Sequence, residues 1–466
     1  MVFSSLTFLY YFLPCMLALY FAVPKRFQNA ALLSGSLLFY AWGEPKYIFL
    51  MGLQIVLGYV CGLLLEAYRH TGAGRFVCIL SVASSLSFLL YFKYAGFFLT
   101  NIHALTGIAM EPLDIALPAG ISFYTFQMAS YLADVYKGAP AQRHVSRLAL
   151  YIAMFPQLIA GPIVRYCEIE DQLEHRQHSW ESAAGGICRF ITGMAKKILF
   201  ANQLAELCTI FRETKERSVL FCWLYAIAFM LQIYYDFSGY SDMAIGLGRV
   251  FGFRFSENFR DPYASKSITE FWRRWHISLG MWFRDYVYIP MGGSHAGRLR
   301  QIFNILAVWM LTGLWHGAAW NFVLWGMYFA VLLMLEKLWL LPVLENSLAG
   351  SRIYTLFFVM AGFIIFDAPD IPWALDVIGG LFGAGGLSPA SNEALYCLKS
   401  FGVVLLLAAF WASPTARAPV KRLLKSAGAI TPCGAAARLA GLAVLLLVMT
   451  AYLVDGSFQP FLYFRF

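Results

Sequence analysis

The sequence predicts an all-helical protein that crosses a membrane many times, and three observations carry this prediction. Hydrophobic residues make up 60% of the chain and charged residues only 13%, whereas about a quarter of the residues in a soluble domain are charged. Apolar runs recur from one end of the chain to the other, and about 20 helical residues cross a hydrocarbon core of roughly 30 Å. Lys and Arg gather in short loops beside these runs, which is the positive-inside pattern.

These observations predict about ten to twelve transmembrane helices, together with short re-entrant or interfacial helices where apolar runs are brief or broken. No hydrophilic stretch is long enough to form a second domain of ordinary size, so residues 1–466 are expected to form one membrane domain. The formal charge of +9 raises the possibility of nucleic-acid binding. We expect no nucleic-acid partner, because the basic residues flank apolar runs.

The nine cysteines include no CxxC pair, so neither a disulfide framework nor a metal site is predicted. Leu6 to Val23 reads as the first transmembrane helix. The basic PKR that follows it favours a cytoplasmic loop and an outside N-terminus. The sequence GEP, at Gly43 to Pro45, is expected to break the chain before a second apolar run resumes.

Later segments of the first half predict a span, a loop and a helix of undecided setting. Phe76 to Phe98 reads as a span, and Thr100 to Leu117 reads as an outside loop because it carries Glu111 and Asp114 without any Lys or Arg. Ile121 to Tyr136 is aromatic and mildly polar. It fits a core helix as well as a lipid-facing one.

The second half begins with Ile187 to Phe211, which mixes apolar and charged residues as an amphipathic helix does, either in the interface or packed on the bundle. Val219 to Phe237 reads as a span. Arg249 to Arg300 is rich in Lys and Arg and is expected to face the cytoplasm while dipping into the membrane. Arg417 to Arg438 is expected to be a basic cytoplasmic loop.

Two histidines stand out in the stretch from Glu270 to Gly326. His276 follows RRW, and His316 lies within the apolar run LTGLWHGAAWNFVLWG. A polar side chain at mid-membrane costs on the order of 2.5 to 3.5 kcal/mol, so such a residue is a functional candidate by default. Positions four apart share a helical face, which predicts that Trp320 lies beside His316 and Trp272 beside His276.

Four motifs give the chain a family resemblance. They are GPIVRY at residues 161–166, YYDFSGYSDMAIGLGRVFGFRFSENFRDPYAS at residues 234–265, the stretch at residues 270–326, and PFLYFRF at residues 460–466. With these motifs the chain resembles the membrane-bound O-acyltransferase family, and within it the membrane subunits of bacterial alginate O-acetyltransferases. The resemblance implies a helical fold built around a central tunnel.

The same resemblance implies a function in the bacterial inner membrane. An acyl group, acetyl by preference, would pass from a cytoplasmic thioester donor, acetyl-CoA or an acyl carrier protein, through the tunnel. Periplasmic acetyltransferase partner proteins would then place it on an exported polysaccharide such as alginate. Acetyl-CoA would be a substrate, with no bound cofactor, and membrane lipid would surround the protein.

Two alternatives remain open. One is D-alanyl transfer to teichoic acid from a carrier protein. The other belongs to a different class, a transporter or channel for the polysaccharide itself. Such transporters often contain inverted repeats, and no internal repeat is visible in this sequence.

The resemblance also assigns roles to the two histidines. His316, in the family's WHG motif, is expected to be the catalytic residue, and a neutral imidazole can act as general base near pH 7. His276 holds the family's second polar position and is expected to assist catalysis by orienting donor or acceptor. The alternative for His276 is a structural histidine tied to neighbouring loops.

Further residues are expected to line the tunnel or contact substrate. They are Trp315, Trp320, Asn321, Trp275, Arg274, Asp236, Tyr240 and Asp242. For the two acids and the tyrosine, a buried polar network that only holds helices together is an equal alternative. The arginines at positions 273 and 274 fit either lipid phosphates or the phosphates of the acyl donor.

Overall fold

The computed structural model describes residues 2–108, 113, 115–295, 297–428 and 432–456. Over these residues the chain is helical, with turns and irregular segments between the helices and no strand. The all-helical prediction is confirmed. Glu111 and Asp114, on which the predicted outside loop rests, and the closing PFLYFRF motif lie outside the described residues.

Helices follow one another closely along the chain. In the first half they are Phe8–Phe12, Leu13–Ala22, Lys25–Phe27, Gln28–Gly43, Tyr47–Tyr68, Gly74–Leu89, Leu90–Tyr94, Ala95–Thr106, Ile121–Lys137, Val145–Ala153, Phe155–Leu158, Tyr166–Glu174, Trp180–Ala195, Lys196–Ala201 and Asn202–Glu213. In the second half they are Val219–Val250, Pro262–Ala264, Ile268–Arg274, Ile277–Phe283, Arg284–Tyr288, Arg298–His316, Trp320–Leu335, Glu336–Leu340, Leu341–Glu345, Leu348–Asp367, Ile371–Gly380, Ala384–Gly386, Asn392–Ala412, Pro414–Gly428 and Pro432–Val454.

Seven helices in the described part of the chain are long and apolar enough to cross a membrane. They are Tyr47–Tyr68, Gly74–Thr106, Val219–Val250, Trp320–Glu345, Leu348–Asp367, Asn392–Ala412 and Gly434–Val454. Phe8–Ala22 and Ile371–Gly380 are apolar but shorter. The polytopic character is therefore confirmed, while the predicted ten to twelve crossings would have to include shorter helices such as these.

The chain divides into two compact units. The first comprises Met1–Phe190, Met243–Ser256 and Arg284–Tyr286, and the second comprises Ile191–Asp242, Glu257–Phe283 and Val287–Phe466. The two functional histidine candidates, His276 and His316, belong to the second unit. That residues 1–466 form one membrane domain stays a prediction.

In the first unit, the Ile121–Lys137 helix is a core helix. Its first twelve residues are all buried. Two glycines of the preceding Tyr47–Tyr68 helix allow close approach, because a Cβ atom at Gly58 would lie 2.1 Å from the Met128 sulfur and one at Gly62 would lie 2.3 Å from the Tyr131 hydroxyl. This settles the undecided setting of the segment in favour of the core.

Two sequence-based boundaries were wrong. The chain stays helical through Thr106, so the predicted outside loop cannot begin at Thr100, because the apolar run continues past Phe98. The predicted basic loop from Arg417 to Arg438 is helical as far as Gly428, within the helix Pro414–Gly428. Its basic residues are spaced through helix-compatible sequence, and a count of charges alone could not reveal that helix.

Candidate active site

The second unit contains a tight hairpin of two helices, and the first of them ends at His316. Arg298–His316 and Trp320–Leu335 form its two arms. A Cβ atom at Gly313 would lie 2.3 Å from the Phe322 carbonyl oxygen, and one at Gly326 would lie 2.2 Å from the Trp309 carbonyl oxygen. These backbone contacts are closer than any side chain allows. The glycines of the TGLWHG and LWG sequences therefore set how closely the arms pack.

His316 is the last residue of its helix and lies in an aromatic pocket. Its side chain is buried, and its ring centroid lies 5.0 Å from Trp315, 5.0 Å from Trp325 and 5.3 Å from Phe366. All three rings meet the imidazole at steep angles, between 76° and 84°. Edge-to-face packing of this kind fixes the plane of the imidazole.

Asn321 ties the second arm of the hairpin to a neighbouring helix. Its side-chain amide donates to the Ala368 carbonyl oxygen at 3.0 Å and to the Phe366 carbonyl oxygen at 3.5 Å. The side chain is buried. Since Phe366 also packs on His316, Asn321 holds part of the imidazole's aromatic pocket in place.

His276 lies at a break between two short helices, Ile268–Arg274 and Ile277–Phe283. Its backbone φ is +45°, in the left-handed region that costs a residue with a side chain roughly 1–2 kcal/mol. The side chain is only 2% exposed. A strained backbone at a buried polar residue is typical of functional sites, where surrounding contacts maintain it.

Polar contacts hold His276 from one side. Its Nδ1 lies 3.1 Å from the Asn258 side-chain oxygen, and the Ser278 backbone N–H and hydroxyl donate to the same oxygen at 3.2 and 2.9 Å. The Phe237 ring lies 4.6 Å away, nearly perpendicular. Burial lowers the pKa of His276 to about 3, so its imidazole is neutral at pH 7.

Trp315 brings the two histidines into one site. Its ring centroid lies 5.0 Å from His316 and 6.0 Å from His276, and Trp315 itself is buried. Histidines that are forty positions apart in sequence thus contact the same indole. Trp315, one of the predicted substrate-contacting residues, therefore contacts both imidazoles.

Two ion pairs join neighbouring helices of the second unit. Lys197 Nζ lies 2.5 Å from Asp236, with both side chains at most 5% exposed, and Lys196 Nζ lies 2.6 Å from Asp242. The helices approach closely because a Cβ atom at Gly239 would lie 2.7 Å from the Gly193 carbonyl oxygen. These contacts favour the interpretation of Asp236 and Asp242 as a polar network that holds helices together.

Glu336 anchors the short helix that leads to His276. This carboxylate is fully buried and accepts from the Ile268 N–H at 2.5 Å, the Thr269 N–H at 2.8 Å and the Thr269 hydroxyl at 2.7 Å. A carboxylate at a helix N-terminus satisfies backbone N–H groups that lack helical partners. Glu336 therefore fixes where the Ile268–Arg274 helix begins.

The shared helix that was assumed for each pair of histidine and tryptophan is wrong. The first arm ends at His316 and the second begins at Trp320, so these residues do not share one helix. Trp320 is 59% exposed. Trp272 belongs to a helix that ends before His276 and packs on Trp309, Trp325 and Phe329. Indoles do contact both imidazoles: Trp315 contacts both of them, and Trp325 of the second arm contacts His316.

Other predicted site residues occupy different settings. Trp275 is buried among Phe259, Phe271 and Phe363, as expected of a core aromatic residue. Arg274 is partly exposed and pairs with Glu270 at 2.6 Å. Tyr240 is buried within the Val219–Val250 helix. Their predicted roles toward substrate stay predictions.

Several residues that shape the site were not predicted from the sequence. Asn258 and Ser278 hold His276, Phe366 and Trp325 pack on His316, and Lys197 pairs with Asp236. Asn258 lies inside the SENFRDPY part of a motif quoted above, which was its only signal. The lysine had a signal of its own, because an ammonium group within a largely apolar helix calls for an acidic partner.

Comparison with known proteins identifies the family. Residues 83–366 match the model of the membrane-bound O-acyltransferase family. The chain is 38% identical over 502 aligned residues to the Azotobacter vinelandii protein named "probable alginate O-acetylase AlgI", with full coverage of both chains. It is 31% identical over 456 residues to a Helicobacter pylori peptidoglycan O-acetyltransferase, covering 89% of this chain and 86% of the relative.

A more distant similarity joins the chain to a Bacillus subtilis teichoic acid D-alanyltransferase. The identity is 30% over 279 residues, which cover 53% of this chain and 68% of the relative. The matched family model and the full-length relatives agree with the long apolar helices. The chain is an O-acyltransferase of the bacterial inner membrane that crosses it several times, and it belongs to the membrane-bound O-acyltransferase family.

Proposed function

We propose that the protein takes an acetyl group from a cytoplasmic thioester, acetyl-CoA, and passes it through a central tunnel for O-acetylation of an exported polysaccharide such as alginate. Periplasmic acetyltransferase partner proteins complete the transfer outside. His316 acts as the general base and His276 assists. The observation that carries the proposal is the buried pair of imidazoles packed on Trp315, in a chain that matches a named alginate O-acetylase along its whole length.

The chemistry explains why a buried neutral imidazole suits this task. As the acceptor hydroxyl oxygen bonds to the thioester carbonyl carbon, its proton moves to the imidazole of His316. The carbon–sulfur bond then breaks, and the departing thiolate takes that proton to leave as the free thiol. A positioned general base contributes roughly 10² to 10⁴ in rate. Alignment of donor and acceptor supplies the rest.

The pocket of His316 supports this role. Three aromatic rings hold the imidazole's plane, so little reorganisation is needed when the proton moves. Aromatic walls also exclude water, which would otherwise hydrolyse the thioester. A histidine with only a packing role would not need rings on several sides and a helix that ends at its own position.

The alternative acceptor, teichoic acid, has weaker support. The teichoic acid D-alanyltransferase of Bacillus subtilis matches about half of this chain, whereas the alginate and peptidoglycan O-acetylating relatives match most or all of it. Both acetylating relatives are named for saccharide polymers. We therefore take an exported polysaccharide as the acceptor class and acetyl as the group transferred.

The test is the O-acetyl content of the host's exported polysaccharide when His316→Ala replaces the wild-type protein at matched membrane expression. We expect the ester to fall to background while the polymer yield stays normal. Persistence of the ester would refute His316 as the base. Loss of the polymer together with the ester would favour the transporter or channel alternative.

An exposed histidine outside the candidate site provides the matched control. His175 is exposed at the end of a short helix, and its Nδ1 lies 3.2 Å from Asp171. His175→Ala removes an imidazole of the same kind from the surface. It should leave both ester content and polymer yield at the wild-type level. That result would show that loss of the ester in His316→Ala is not a general effect of removing a histidine.

A further inference from the structure

We propose that Asn258 is a positioning residue that holds His276 in the tautomer with its proton on Nδ1, so that Nε2 carries the lone pair and accepts a hydrogen bond during acyl transfer. The tautomer assignment stands on contacts alone. Only its use in acyl transfer rests on the proposed function.

The orientation of the Asn258 amide follows from its partners. The Ser278 backbone N–H lies 3.2 Å from one terminal atom of the side chain. A backbone N–H can only donate, so that atom is the oxygen. The other terminal atom is therefore the nitrogen, and it donates to the Ser241 hydroxyl at 3.1 Å. The orientation of the amide thus follows from its hydrogen-bond network.

The orientation of Asn258 determines the proton on His276. The same amide oxygen lies 3.1 Å from His276 Nδ1. Because the oxygen only accepts, Nδ1 must donate and carry the proton. A neutral imidazole has one N–H, and the hydrogen bond at one nitrogen decides the state of the other. Nε2 is then the unprotonated nitrogen.

The backbone of Asn258 supports the same arrangement. Its carbonyl oxygen accepts from the Ile277 N–H at 3.0 Å, and the residue is fully buried. Asn258 thus contacts three consecutive residues, at positions 276 to 278. The first of them, His276, has a backbone φ of +45°. A strained conformation persists when its surroundings over-determine it, and one asparagine supplies four of these contacts.

The tautomer restricts what His276 does in the reaction. With its proton held on Nδ1, neutral His276 can accept a hydrogen bond at Nε2 but cannot donate one there. It therefore cannot stabilise the negative oxygen that develops on the thioester carbonyl, which requires a donor. It can orient a hydroxyl group by accepting from it. Between the two predicted tasks of His276, this selects orienting the acceptor.

The direct test is ¹⁵N NMR of the full-length protein in detergent, labelled at the histidine ring nitrogens. The signals of His276 are those lost in His276→Gln. We expect a protonated Nδ1 and an unprotonated Nε2 in the wild type, and a mixture of tautomers in Asn258→Ala. An Nε2–H tautomer in the wild type would overturn the proposal.

Conservative variants guard against a folding defect. Asn258→Asp keeps an oxygen beside Nδ1 but loses the donor to Ser241, and it should retain the Nδ1–H signal. Ser241→Ala loses only the contact to the amide nitrogen and should also retain the signal. Loss of the Nδ1–H signal in Ser241→Ala, with Asn258 intact, would show that the amide oxygen does not set the tautomer.

Activity provides the second readout, as kcat for acetyl transfer at pH 8. We expect Asn258→Ala to lower kcat about ten- to a hundred-fold, the usual cost of a lost buried hydrogen bond. Asn258→Asp should recover most of it, and Ser241→Ala should stay within about threefold of the wild type. Equal losses in Asn258→Asp and Asn258→Ala would contradict a positioning role.

The two proposals fail separately. If His316→Ala keeps full acetylation, the proposed function fails, while an Nδ1–H signal from His276 would still support the tautomer assignment. If the tautomer is wrong while His316→Ala abolishes acetylation, the proposed function stands and the role given to Asn258 does not.

Discussion

The two histidines of the candidate active site are held in contrasting ways. His316 ends a long helix and is enclosed by the rings of Trp315, Trp325 and Phe366. His276 sits in strained backbone between two short helices and is held through Asn258 and Ser278. Aromatic rings fix the plane of an imidazole, whereas a hydrogen-bond acceptor also fixes its proton.

This difference matches the tasks proposed for the two residues. A general base must gain and lose a proton in each cycle, and the rings of Trp315, Trp325 and Phe366 hold the imidazole of His316 in one plane while it does so. A residue that orients substrate should keep one protonation state throughout, which a polar partner such as Asn258 ensures.

The largest expected effect comes from breaking the buried ion pair between Lys197 and Asp236. Asp236→Ala would leave the Lys197 ammonium buried without its partner, and removal of one member of a buried pair costs about 3–5 kcal/mol. We expect the Asp236→Ala variant not to fold stably, as measured by thermal unfolding in detergent. The double variant Asp236→Leu with Lys197→Met should restore folding, because an apolar pair of similar volume is often as stable.

That double variant also separates the two interpretations of Asp236. If the acid belongs only to a network that holds helices together, the refolded double variant should acetylate within about threefold of the wild type. A stable double variant without activity would instead place Asp236 in the path of the substrate. It would also show that polar contacts other than those of His276 contribute to acetyl transfer.

The next effect concerns the hairpin that carries His316. Gly326→Ala adds a methyl group where the Trp309 carbonyl oxygen lies 2.2 Å away, so the arms must separate. We expect a loss of about 1–3 kcal/mol in stability, measured by thermal unfolding, with reduced acetyl transfer. Gly280→Ala is the control, because a Cβ atom there has nothing within 4 Å; equal losses in both variants would refute the packing argument.

The smallest expected effect on acetyl transfer distinguishes Trp315 from Trp320. The sequence predicted the same role for both, to line the tunnel or contact substrate. Trp315 contacts both imidazoles and is buried, whereas Trp320 is 59% exposed. Trp315→Leu should lower kcat roughly tenfold or more through misplaced imidazoles. Trp320→Leu should change it by less than about threefold. The reverse order, measured as acetyl transfer at matched expression, would show that the indole shared by the two histidines is unimportant.

The sequence predicted well what depends on local composition. Long apolar runs gave the helical, membrane-spanning class, and the break at Gly43 to Pro45 appears where one helix ends at Gly43 and the next begins at Tyr47. The two helices near His316 meet within the apolar run LTGLWHGAAWNFVLWG, which the sequence analysis singled out. Its glycines could not be interpreted in advance, because their close contacts lie across the hairpin.

What the sequence did not predict depends on contacts between distant residues. The pairing of Trp320 with His316 assumed that helical spacing continues through the WHG motif, and the helix ends there instead. Asn258 and His276 are 18 positions apart, and Lys197 and Asp236 are 39 apart. Their relation requires the chain to turn back on itself. No periodic pattern records such a turn.

The most direct test of the general-base claim is the single-turnover rate of acetyl transfer from labelled acetyl-CoA by the purified protein in proteoliposomes. Wild type and His316→Ala are compared at equal acetyl-CoA occupancy, with binding measured separately. We expect the variant to bind the donor normally and to transfer acetyl about 10² to 10⁴ times more slowly. Transfer at the wild-type rate would contradict the assignment of His316 as the base.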